Sequence, residues 1–165
     1  MRFYLAPMEE VTGYVYREVY HALFDDIDKY VTPFITPAQK RVLKTRDRKE
    51  IEPEHNQGIR VVPQILTNDA GQFTDTCGLL LELGYREVNL NLGCPSATVV
   101  RKGRGSGFLA DPDRLDRFFE EVFETLGKDR ALVNISVKTR IGLELPEEFE
   151  DILKIYNRYP FSEII

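Results

Sequence analysis

Short runs of apolar and β-branched residues alternate along this chain with longer stretches whose apolar positions recur three or four residues apart. The two periods predict strands and helices in turn. Strands are expected at 3–7, 29–33, 60–66, 87–92, 132–139 and 162–165. Helices are expected at 14–24, at 69–83 with Gly84 placed to stop it, and at 146–158, opened by Pro146. Another starts at Asp111, an N-cap residue followed by Pro112 at the first helical position. Its apolar residues Leu115, Phe118, Phe119, Val122 and Phe123 keep helical spacing up to Gly127.

Repeated β-then-α units build a parallel sheet. A complete α/β barrel takes about 250 residues and eight such units, whereas this chain has 165 residues and six predicted strands. The expected fold is therefore α/β of the (β/α)8 TIM-barrel type, truncated to about the first five to six units and forming one incomplete domain over 1–165. The ending Ser162-Glu163-Ile164-Ile165 falls inside a strand, and it is expected to mark a fragment of a longer protein. An open doubly wound sheet is the alternative. It lacks support, because the glycine-rich stretch 103–107 lies in a loop before an already capped helix and no G-x-G-x-x-G turn follows the first strand.

Composition narrows the class without naming a function. Hydrophobic residues make up 42% and charged residues 30%, as in ordinary globular proteins. No apolar run approaches the roughly 18 to 20 residues of a membrane span, and no cleavable leader opens the chain, so a cytoplasmic setting is expected. The two cysteines, Cys77 and Cys94, have no metal-ligand spacing, so neither a disulfide framework nor a metal is expected. The net charge is −5, yet the window 40–49 holds Lys40, Arg41, Lys44, Arg46, Arg48 and Lys49 against Asp47 alone. That +5 segment is either a solvated helix face or a local contact for a phosphate backbone.

The candidate chemistry lies at the C-terminal ends of the predicted strands, where a parallel barrel gathers its active residues. Lys138 within an apolar strand should point inward together with Arg140, and a cation there needs an anionic ligand or an internal carboxylate. The negative charge of a reduced flavin would fit. Cys94 follows a strand inside a Gly-Cys-Pro turn, which would hold its thiol at the barrel mouth. No base stands beside it, since His21 falls in a helix and His55 in a charged loop. Acid chemistry is therefore preferred to hydrolysis. Cys77 reads as a buried packing residue of its helix.

The stretch Asn89-Leu90-Asn91-Leu92-Gly93-Cys94-Pro95-Ser96, the run Val99 through Leu109, the opening Ala6-Pro7-Met8 and Val137-Lys138-Thr139-Arg140 together resemble the tRNA-dihydrouridine synthases. The resemblance covers essentially the whole chain. It implies an FMN-dependent enzyme, reduced by NADPH or NADH, that reduces the C5–C6 bond of particular uridines in tRNA. By resemblance Cys94 is the proton donor and Asn91 contacts uracil. Pro7 and Met8 pack on the flavin, Gln64 hydrogen-bonds its ring, and Lys138 sits at its pyrimidine side. Arg140 lies near the substrate, and Lys102 belongs to a loop that closes over it. The family's later barrel units and its helical tRNA-binding domain have no counterpart in these residues. Two rivals are another flavin barrel, such as a dihydroorotate dehydrogenase, and a non-catalytic unit that self-associates through open strand edges.

Overall fold

Residues 87–92 alternate strictly, with Glu87, Asn89 and Asn91 set against Val88, Leu90 and Leu92, and this alternation decides how the sheet is covered. The computed structural model describes residues 1–24, 26–37, 42–127 and 133–165. Its strands are β1 (Tyr4–Leu5), β2 (Lys29–Val31), β3 (Val61–Val62), β4 (Gln64–Ile65), β5 (Glu87–Asn91), β6 (Asn134–Lys138) and β7 (Glu163–Ile164). All the ladders between them are parallel.

The predicted strand 60–66 is interrupted at Pro63. Val61 and Val62 pair back to β2, whereas Gln64 and Ile65 pair forward to β5. Proline has no N–H to donate to a ladder, although its carbonyl still accepts from Asn89 N at 2.9 Å. The strands therefore form two sheets, β1-β2-β3 and β4-β5-β6-β7. They follow one another in chain order, as in a barrel, and do not close into one among the described residues. Residue Leu132, expected to open the β6 strand, lies outside the described residues.

Helices α1 (Tyr14–Leu23), α2 (Thr45–Ile51), α3 (Ala70–Glu82), α4 (Ala97–Val100), α5 (Pro112–Leu126) and α6 (Phe149–Tyr156) fill the connections. The Asp69 carboxylate accepts from Gln72 N at 2.8 Å and Asp111 from Arg114 N at 3.0 Å, so α3 and α5 start where side-chain caps allow. Along α5 the buried residues are Leu115, Phe118, Phe119, Val122, Phe123 and Leu126, one continuous stripe. With Phe73, Cys77, Leu80 and Ile152 they cover the apolar sheet face of Ile65, Val88, Leu90, Leu92, Ile135 and Val137. Each large apolar side chain so buried stabilises the fold by about 1.5–3 kcal/mol.

Helix α2 and a 3-10 turn at Pro53–Asn56 arise inside and just after the basic window, where no apolar periodicity announced them. Only Asp47 and Ile51 of α2 turn inward. Arg46 pairs with Glu9 and Arg48 with Glu52, and Lys44 and Lys49 are exposed. Lys40 and Arg41 lie outside the described residues.

The concave face of the sheet is polar, and at the N-terminal ends of the strands it is ionic. The Lys29 ammonium, with a side chain only 4% exposed, lies 2.6 Å from Glu87 Oε1 and 2.8 Å from Glu163 Oε2. The Tyr4 hydroxyl donates to Glu163 Oε1 at 2.6 Å, and Arg60 reaches Glu87 Oε2 at 2.9 Å. Side chains from the first and last strands thus meet across the concavity, so the arc of strands curls as a barrel wall does.

Candidate active site at the strand ends

At the opposite, C-terminal end the same face carries neutral amides. Gln64, Asn89 and Ser136 are at most 1% exposed, so each polar atom left unpaired would cost about 1–3 kcal/mol. They form a ladder. The Asn91 Nδ2 donates to Gln64 Oε1 at 2.7 Å, Gln64 Nε2 to Asn89 Oδ1 at 2.8 Å, and Asn89 Nδ2 to Ser136 Oγ at 3.0 Å. The Ser136 hydroxyl donates to the Val88 carbonyl at 3.2 Å. The ladder runs to the end of β5 and fixes Asn91 there.

Asn91 in turn shapes the cysteine turn. Its Oδ1 accepts from Gly93 N at 3.1 Å and from Cys94 N at 2.9 Å. On the far side the Cys94 carbonyl accepts from both the backbone N–H and the hydroxyl of Ser106, each at 3.0 Å. The glycines of the 103–107 loop make this approach possible. Gly105 has φ +55°, and a Cβ there would stand 2.7 Å from Cys94 O; a Cβ on Gly107 would stand 2.6 Å from Val100 O. Only glycine avoids both the clash and the left-handed strain at 105.

The half-buried Cys94 is a free thiol, and so is Cys77, which is fully buried. Burial pushes the Cys77 thiol far up, and it stays an inert packing group. His55 stacks on Tyr14 with ring centroids 4.2 Å apart, and no hydrogen bond joins either histidine to Cys94. No grouping of metal-ligating side chains occurs among the described residues.

The other expected site residues divide into two groups. Lys138 ends β6 directly beside Asn91 in the ladder register, half-buried and without an ion pair among the described residues. Gln64 is wholly enclosed, with both ends of its carboxamide bonded within the ladder. Pro7 and Met8 follow β1. Pro7 is half-buried and Met8 is 60% exposed, where its amide donates to Thr12 Oγ1 at 2.7 Å. Arg140, expected to face inward with Lys138, is exposed just past the end of the strand. Strand β6 ends at Lys138, yet Thr139 N still donates to Ile165 O at 2.8 Å and Thr139 Oγ1 meets the Tyr156 hydroxyl of α6 at 2.8 Å, so the alternation runs on past it. Lys102 is exposed on the loop after α4. Sequence reasoning missed Asn68, Asn89, Ser106 and Ser136 as parts of the site. The only sign of them was the unusual number of small polar residues at strand ends.

In-order parallel strands, helices on the outer face, and a thiol, a lysine and carboxamides at the C-terminal strand ends define a β/α-barrel-type protein with its site at the mouth. Residues 4–159 match the model of the dihydrouridine synthase (Dus) family, and the chain belongs to that family. It is 30% identical over 162 residues to a "Probable tRNA-dihydrouridine synthase" of Staphylococcus aureus, covering 92% of this chain and 44% of that protein. A protein of the same description from Staphylococcus epidermidis is 30% identical, with 92% and 45% covered. The "tRNA-dihydrouridine(16) synthase" of Pseudomonas putida is 31% identical over 153 residues, with 89% and 46% covered. The chain spans less than half the length of these relatives.

Proposed function

We propose that this chain supplies the thiol acid and part of the flavin site of an FMN-dependent tRNA-dihydrouridine synthase. The observation that carries the reading is the backbone-locked Cys94 turn at the end of β5, beside Lys138, in a member of the dihydrouridine synthase family. Residues 1–165 then form the N-terminal β/α units of the flavin domain. Further barrel units and a helical tRNA-binding domain would come from sequence outside this chain.

The donor set fits a flavin's pyrimidine ring. Lys138 offers an ammonium with no carboxylate partner among the described residues, and a cation so placed favours an electron-rich, anionic ring. Asn91 keeps one amide hydrogen beyond the bond it makes in the ladder. Gln64 lies enclosed behind it and would reach the ring only by turning its carboxamide out of the ladder, and Pro7 and Met8 provide apolar contact at the end of β1. When bound, reduced FMN supplies the hydride for uracil C6, and NADPH or NADH is the reductant that restores it. Cys94 gives its thiol proton to uracil C5, so the S–H bond breaks as the C5–H bond forms and a thiolate remains to be reprotonated from solvent. Asn91 orients that thiol through the backbone and is available to the uracil edge. Arg140 and Lys102, both exposed at the rim, are suited to the phosphates flanking an extruded uridine.

No helix among the described residues is long and apolar enough to cross a membrane, and a cytoplasmic setting agrees with a tRNA substrate. The free edges of β1 and β7 are also sites for self-association. The test joins this chain to the C-terminal part of the Pseudomonas putida relative and supplies unmodified tRNA, FMN and NADPH. Dihydrouridine should form with Cys94 present and fall by at least about a hundredfold in C94A, the usual weight of a general acid. Equal turnover in C94A would overturn the assignment.

A further inference from the structure

The loop that follows Cys94 is fastened at two points that the proposed chemistry does not use. Asn68, just beyond β4, donates through Nδ2 to the carbonyls of Lys102 at 2.9 Å and Gly103 at 3.0 Å. Its Oδ1 accepts from Arg104 Nε at 3.4 Å. Ser106, 1% exposed, donates its hydroxyl and its N–H to the Cys94 carbonyl. Gly105 packs against that same carbonyl with no room for a Cβ, so little slack separates the two fastenings.

The geometry therefore runs as a strap from the end of β4, through residues 102–106, to the carbonyl side of Cys94. Asn91 already holds the amide side. With both flanking peptide groups fixed, the Cα–Cβ direction of Cys94 is fixed too. A thiol that must meet one carbon of a ring gains from this, because small misplacements cost large factors in rate. We infer that Asn68 and Ser106 are positioning residues for the Cys94 thiol, acting through this strap. The inference rests on the proposed role of Cys94 as proton donor.

Its test reads the thiol directly on the chain itself, by iodoacetamide labelling followed by mass spectrometry of the Cys94 and Cys77 peptides. Cys77, fully buried in the core, reports any general opening of the fold in the same sample. Asn68→Asp is nearly isosteric, keeps an acceptor for Arg104 and sets a charged oxygen against the two carbonyls in place of the donor. Ser106→Ala loses only the hydroxyl. Each should raise the Cys94 labelling rate several-fold, up to about the tenfold that one net hydrogen bond represents, with Cys77 still protected. The double variant should fall short of the product of the two factors, because the two side chains act through one strap. S106T, which keeps the hydroxyl, should return the wild-type rate. If S106T itself exposes Cys77, the decision passes to N68D.

Unchanged Cys94 labelling in both N68D and S106A would overturn the strap, as would labelling of Cys77 that rises in step with Cys94. Neither result bears on dihydrouridine formation by the C94A protein, so failure of the strap and failure of the proposed function are separable.

Discussion

The two ends of the concave sheet face solve one problem by different chemistry. Both bury polar side chains that then need partners within the protein. The N-terminal end satisfies them with full charges, Lys29 between Glu87 and Glu163, and holds the first strand to the last. The C-terminal end uses neutral carboxamides and a serine hydroxyl, and it holds a cysteine turn. Ions tie distant strands together strongly and make stability depend on pH. Amides fix direction without adding a charge of their own beside the thiol. In a barrel the floor is where stability is built and the mouth is where chemistry occurs.

The largest expected effect comes from breaking the floor. Lys29→Met leaves two mostly buried carboxylates without their shared cation and should cost about 3 kcal/mol. Urea unfolding should show a lower midpoint with an unchanged slope, and the protection of Cys94 should alter little by comparison. A midpoint equal to the wild type would show that the network contributes nothing to the fold.

At the mouth, Asn91→Ala strands Gln64 Oε1 and the N–H groups of Gly93 and Cys94, for about 1–3 kcal/mol. Its main effect should be local, as faster Cys94 labelling. Asn91→Asp sharpens the point, because it keeps the acceptor for the turn while a charged oxygen replaces the donor to Gln64 Oε1. Cys94 labelling should then stay nearer wild type than in N91A.

The pH dependence separates the two ends further. Burial disfavours the Lys29 ammonium, but hydrogen bonds and charge from Glu163 and Glu87 outweigh it and raise its pKa above the ordinary 10.5. The folded state holds this proton more tightly than the unfolded chain, so the stability is complete below 10.5 and is lost as pH rises through the folded value. Burial likewise pushes the Glu163 carboxyl up. Lys29 and the Tyr4 hydroxyl, with charge from Arg60, pull it net below the ordinary 4.5. That stability is complete above 4.5 and is lost as pH falls through the lower folded value. The K29M protein should show flatter arms at both extremes in urea midpoints measured against pH, whereas N91A should keep both arms.

The smallest effect serves as a reference away from both ends. Asp111→Ala removes the cap of α5 and should cost about 1 kcal/mol, seen as a modest fall in melting temperature. It should change neither the pH arms nor Cys94 labelling.

What could be read from the sequence was local. The α5 stripe, its Asp111 cap, the alternation of β5 and the cysteine turn are each written within a dozen neighbouring residues. The rest depends on partners far apart in the chain. Lys29 meets residues 58 and 134 positions away, so it reads in sequence as a stray charge at the start of a strand. Helix α2 carries no apolar stripe, since only Asp47 and Ile51 turn inward, and its basic run hid it. Pro63 marked its strand plainly, but the switch of pairing partner across it is a tertiary fact. Asn68 and Ser106 act on backbone carbonyls, and no side-chain pattern announces that.

The central claim, that the mouth and not the floor is the functional end, is tested most directly by a flavin titration. This chain joined to the C-terminal part of the Pseudomonas putida relative would be titrated with FMN and followed by visible absorption. A bound-flavin spectrum should appear, Lys138→Ala should weaken binding by about tenfold or more, the weight of one charge-assisted hydrogen bond, and D111A should leave it unchanged. No flavin binding, or binding of equal strength in the K138A protein, would contradict the assignment of the mouth as a flavin site.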